Sequence, residues 1–83
     1  MDQIARSTKQ IGATIRRARR QMNLSQEQLG EKVHLRQATI SRLEAGEPAT
    51  RLTTLMSALS ALGLEIVIRE RTTSEPTDIE DIF

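Results

Sequence analysis

Apolar positions recur at helical spacing up to residue 62 and then change period. Ile11, Ile15, Ala18 and Met22 fall three or four residues apart, which predicts a helix over about Thr8–Met22. Asn23 is expected to close it in a left-handed cap. Leu29 and Val33 share one face of a short second helix. Ile40 and Leu43 mark the inner side of a third, over about 36–44, with Ala45-Gly46 as its stop. Leu52, Leu55, Met56, Leu59 and Leu62 predict a fourth helix over about Arg51–Leu62, with that row in the core and Gly63 at its end. From Leu64 to Arg71 the period becomes two. Leu64, Ile66 and Ile68 alternate with Glu65, Val67 and Arg69, and β-branched residues dominate, so the stretch reads as one strand.

The punctuation between the second and third helices is specific. Ser25-Gln26-Glu27-Gln28 is a capping box, and Leu24 and Leu29 are placed as a hydrophobic staple. Gly30 costs about 1 kcal/mol against Ala inside a helix; it reads as a close-approach position where the next helix crosses. His34-Leu35 is the turn, and His is among the few non-Gly types found at positive φ. No cysteine, second histidine or paired acid accompanies His34, so a metal or catalytic role is not expected there. Glu47-Pro48-Ala49-Thr50 is a loop marked by proline.

The outer side of the third helix carries the candidate chemistry. Gln37, Ala38, Ser41 and Arg42 lie opposite Ile40 and Leu43, with Arg36 at the entrance. Glutamine can bond an adenine bidentately, arginine a guanine and serine either; an alanine methyl can touch a thymine methyl. Arg36 stands where Ser, Thr or Asp would cap better, and a long cation there is easier to explain by DNA contact than by stability. The pair of helices therefore reads as a helix-turn-helix that places Gln37–Leu43 in a major groove.

A lone strand leaves backbone groups unpaired. Pairing with the same strand of a second copy solves this and makes a homodimer through Leu64, Ile66, Val67 and Ile68; the alternative is an extended segment lying on its own core. A dimer would present two reading helices about one DNA turn apart, suited to a palindrome.

Charge changes the picture once it is divided. The net charge is only +1, but all twelve Lys and Arg lie in residues 1–71 against seven acids, leaving +5. Residues 72–83 hold Glu75, Asp78, Glu80 and Asp81 and no base. Arg16, Arg17, Arg19 and Arg20 crowd the C-terminal half of the first helix. They suit the negative end of its dipole, and they suit phosphate attraction; both can hold. Eighty-three residues make one small domain with an aliphatic core, since Phe83 is the single aromatic residue. No cysteine, no apolar run of membrane length and no signal-peptide pattern are present, which fits a cytoplasmic protein associated with the nucleoid when on DNA. No acid–base pair, metal-ligand spacing or phosphate-cradling glycine loop exists, so neither enzyme activity nor a cofactor or metal is expected.

From about Ile11 to Leu64 the chain resembles the lambdoid phage repressor and Cro superfamily, also called the Xre family. Arg36-Gln37-Ala38-Thr39-Ile40-Ser41 followed by Leu52-Thr53-Thr54-Leu55 is similar to HipB-type antitoxins. His34 departs from the family pattern, where Gly is usual. The resemblance implies an all-α, lambda-repressor-like bundle of four helices whose C-terminal strand pairs across a dimer. It implies base reading by Gln37, Ala38 and Ser41 with Arg36 and Arg42 flanking, and a structural ion pair between Arg19 and Glu44. Phosphate contacts are expected at Gln26, and with it Ser25, Thr39, Arg16 and Arg20. The expected organisation is a flexible 1–7, a DNA-binding unit over 8–71 with its dimerisation strand at 64–71, and an acidic disordered tail over 72–83. Ile79, Ile82 and Phe83 suit a segment that folds on a partner, although a plain solubilising tail is an equal reading. The implied function is repression of its own palindromic operator and neutralisation of a HipA-like Ser/Thr kinase toxin. A stand-alone phage-type or restriction-modification regulator, or an interaction module without DNA binding, are the alternatives.

Overall fold

The structure, a computed structural model, describes residues 3–71. Four helices follow one another: α1 (Thr8–Gln21), α2 (Gln26–Val33), α3 (Gln37–Glu44) and α4 (Leu52–Ala61). Ser7, in the segment expected to be flexible, caps α1 by accepting from the Gln10 N–H at 3.1 Å. Ser25 and Gln28 form the capping box in both directions, at 3.0 and 2.8 Å. Arg36 and Arg51 precede α3 and α4 with no side-chain cap.

All four helices stop in the same way. Asn23, His34, Gly46 and Gly63 hold positive φ, between 58° and 80°. The next residue's N–H then returns to a carbonyl five residues back: Leu24 to Arg19, Leu35 to Gly30, Glu47 to Arg42 and Leu64 to Leu59. This satisfies carbonyls the helix leaves open and turns the chain sharply enough to pack short helices around one core.

That core is Ile15, Leu29, Ile40, Leu43, Ala58, Leu59 and Leu62, with Ile11, Ala18, Val33, Leu35, Leu55, Ala61 and Leu64 packed against it. α3 packs on both α1 and α2, and α4 packs on α2. Close approach is set by glycine. A Cβ on Gly12 would fall 2.7 Å from the Leu43 carbonyl oxygen and would also strike that of Glu44, so α1 can lie against the end of α3 only because residue 12 has no side chain. At Gly30 the neighbour is the Leu35 carbonyl, 2.5 Å from a built Cβ. The close contact expected there is with the turn's backbone rather than with a crossing helix.

The expected apolar rows are corrected at three residues. Leu52 and Met56 do not lie in the core; they are 68% and 48% exposed, and Ala58 is buried instead. The inner face of α4 is centred on Leu55, Ala58, Leu59 and Leu62. At 3.6 residues per turn, Leu52 and Met56 sit about 70° and 110° round the helix from its centre. Met22 is also exposed, because the helix ends before it and leaves it as the C-cap. After α4, Leu64 packs on the core while Ile66, Val67 and Ile68 are exposed. No strand forms among the described residues, so the strand expected over 64–71 is not seen in the single chain. Residues 72–83, including Ile79, Ile82 and Phe83, lie outside the described residues.

Candidate nucleic-acid interface

α2, the His34-Leu35 turn and α3 form a helix-turn-helix. Its geometry rests on the αL cap at His34 (φ 59°) and on the Leu35 N–H bonded to Gly30 at 2.8 Å. His34 therefore does at the end of α2 the conformational work that Gly46 and Gly63 do after α3 and α4. Its side chain is exposed, and no group of three or more His, Cys, Asp or Glu among the described residues could hold a metal.

Ile40 and Leu43 anchor the inner side of α3, and this leaves Arg36, Gln37, Ala38, Ser41 and Arg42 exposed. Thr39 is half-buried. The N–H groups of the first turn of α3 have no side-chain cap, so no side chain of the protein offsets the positive end of its dipole beside Arg36.

Behind this row lies a continuous polar chain. Arg19 donates from Nε to Glu44 Oε2 at 2.6 Å, from Nη2 to Oε1 at 3.0 Å and from Nη1 to the Leu24 carbonyl at 2.7 Å. The two side chains are 9% and 3% exposed. The bond from Glu44 holds the guanidinium above its ordinary range, against the opposing effect of burial. Glu44 Oε1 also accepts from Gln26 Nε2 at 3.2 Å, and Gln26 Oε1 accepts from Gln37 Nε2 at 3.1 Å. A fixed ion pair thus positions an amide, and that amide orients the first residue of α3. Gln37 keeps its carbonyl oxygen and one amide hydrogen, the two atoms a bidentate contact with adenine requires.

Arg19 and Glu44 meet as expected. Gln26, expected at a phosphate, spends its side chain on this internal chain, and Ser25 spends its hydroxyl on the cap. Gln26 as a link between the ion pair and Gln37 escaped the sequence reading; its place in the first turn of α2 was visible, its neighbours were not. Arg16 and Arg20 form no hydrogen bond with this chain but reach its edge at Glu44. With Ala13, Arg17, Gln21 and Glu44 they line an open cleft of about 510 Å³.

Residues 15–68 match a helix-turn-helix family model, HTH_3. Among solved structures, a HipB variant in complex with an O2 20mer is similar at a TM-score of 0.80 and 29% identity, over 87% of this chain and 100% of that one. HipB in a HipA–HipB–O2–O3 complex and in an O4 20mer complex are each similar at a TM-score of 0.79 and 30% identity, over 86% of this chain and 100% of theirs. No curated protein matches significantly in sequence. With its fold, its turn geometry and its Arg19–Glu44 pair in place, the chain belongs to the Xre-type helix-turn-helix family of DNA-binding regulators, with HipB structures among its neighbours.

Proposed function

We propose that this chain is a sequence-specific repressor that binds a palindromic operator as a homodimer and serves as the antitoxin of a HipA-like kinase. The observation that carries the reading is the exposed row on α3, with Gln37 held from behind by the Gln26–Glu44–Arg19 chain. A merely solvated helix face has no need of an oriented glutamine. Gln37, Ala38 and Ser41 read base edges, and Arg36 and Arg42 flank them. Thr39, Arg16, Arg20 and the backbone at Ser25–Gln26 face phosphates, which position the dimer without reading sequence.

Dimerisation is supported by surface chemistry. Leu52, Met56, Ile66, Val67 and Ile68 are large, apolar and exposed in the single chain. Pairing 64–71 with its copy satisfies the backbone of that segment and sets Ile66, Val67 and Ile68 beside their counterparts. The HipA-like partner is supported by the likeness to HipB in a HipA–HipB–O2–O3 complex. No catalytic step is assigned to the chain itself.

A gel shift on the DNA upstream of its own gene tests the base-reading assignment. Gln37→Ala and Ser41→Ala are expected to lose preference for that DNA over a scrambled duplex. Retention of wild-type preference by both variants would remove α3 from the reading role.

A further inference from the structure

The basic face of α1 is left over from the account above. Arg16, Arg17 and Arg20 are exposed on adjacent turns and line one cleft. None of the three makes an ion pair among the described residues, and like charges at these spacings repel. The acid beside them, Glu44, is already engaged by Arg19 and Gln26. The body of the chain therefore presents an unneutralised row of guanidinium groups.

The chain also carries its complement. Residues 72–83 hold four carboxylates and no base, whereas every Lys and Arg lies before them. Twelve residues reach at most ~40 Å when extended, comparable with the longest dimension of the molecule, 43 Å. Most of the molecule's surface therefore lies within the tail's reach from residue 71. Tethering holds it at an effective concentration on the order of millimolar.

We propose that residues 72–83 dock on the Arg16–Arg17–Arg20 face of α1 and compete there with DNA phosphates. The docking stands on charge and reach alone; its consequence for DNA rests on the function proposed above. The cleft shares Glu44 with the Arg19–Glu44–Gln26–Gln37 chain, so a docked acidic segment lies beside the DNA-binding unit. DNA must displace it, which penalises weak, non-specific sites most. A second polyanion or an acidic protein surface would displace it by the same chemistry.

The chain has no cysteine, so Ser74→Cys carries a single nitroxide label in the otherwise intact protein. Paramagnetic broadening of amide signals is expected to concentrate at residues 13–21. It is expected to vanish at about 0.5 M salt, where the screening length is only a few Å, and in the variant Glu75→Gln/Asp78→Asn/Glu80→Gln/Asp81→Asn. Broadening centred on the groove lined by Lys32, Val33, Met56 and Ser60, or none, would overturn the docking. In DNA titrations the four-fold neutral variant is expected to bind non-specific duplex about three- to tenfold more tightly at low salt, and Arg17→Gln to shrink that gain. A gain undiminished by Arg17→Gln would overturn the competition. Loss of operator preference in every variant and in wild type, with broadening still at 13–21, would instead strike the DNA reading and leave the docking intact.

Discussion

Gln37 Nε2 donates to Gln26 Oε1 at 3.1 Å, and this bond ties the proposed reading row of α3 to the buried ion pair behind it. A net hydrogen bond is worth about 0.5–1.5 kcal/mol. Gln26→Ala is therefore expected to weaken operator binding about two- to tenfold and to relax preference at the base pair nearest Gln37. Thermal stability should change little, because Glu44 keeps Arg19. Anisotropy titrations on single-base operator variants, alongside a melting curve, check this.

Arg19→Met leaves the Glu44 carboxylate buried without its cation. Breaking such a pair costs about 3–5 kcal/mol, a large share of the stability of so small a domain. The double substitution Arg19→Met/Glu44→Leu is expected to recover much of that loss while still binding DNA less well, since Gln26 loses its anchor. Urea unfolding of the two single variants and the double variant checks the cycle. The pH dependence follows from the raised guanidinium pKa. Folded and unfolded values both lie above the working range, so Arg19 stays charged and its contribution is fully present there. It is lost only as pH rises through the folded value. From about pH 6 to 10, Arg19 itself should contribute no slope to stability.

Gly12→Ala places a methyl group against the Leu43 and Glu44 carbonyls at the end of α3. Neither backbone can yield freely, and overpacking of this kind costs about 1–3 kcal/mol. Gly63→Ala meets no atom within 4 Å but must hold φ near +70°, a smaller cost of about 1 kcal/mol. Paired denaturation curves should rank Gly12→Ala as the more damaging.

Ile66→Lys/Ile68→Lys puts two charges into the proposed dimer strand, whose side chains are exposed in the single chain, Ile68 by 94%. The folded helical unit is expected to persist while sedimentation shifts toward a monomer. Operator binding should then fall more than tenfold, because each half-site contributes separately. A dimer that survives both charges would move the interface elsewhere.

Much of this was legible in local chemistry. Ser25 with Gln28 announces the start of α2, Asn23 and His34 are residues that tolerate positive φ, and the inner positions Ile15, Leu29, Ile40 and Leu43 follow from helical spacing. α4 was less legible because two apolar rows run along it: spacing says they exist, but only packing against α2 decides that Leu59 turns inward and Met56 outward. The Gln26 link was hidden for a related reason. Its partners are 18 and 11 residues away, brought together by the turn and by the missing side chain at Gly12. Local signals place helix ends; side-chain chains between helices are tertiary facts.

The central claim is that α3 reads sequence while the basic body supplies salt-dependent affinity. Its most direct test is fluorescence-anisotropy binding to the DNA upstream of the protein's own gene, against scrambled DNA, over a series of salt concentrations. The account predicts tight binding to the upstream DNA at two protomers per site, a steep fall of affinity with salt, and weaker binding to the scrambled duplex. Equal, weak binding to both would contradict it and would make the helix-turn-helix a scaffold rather than a reader.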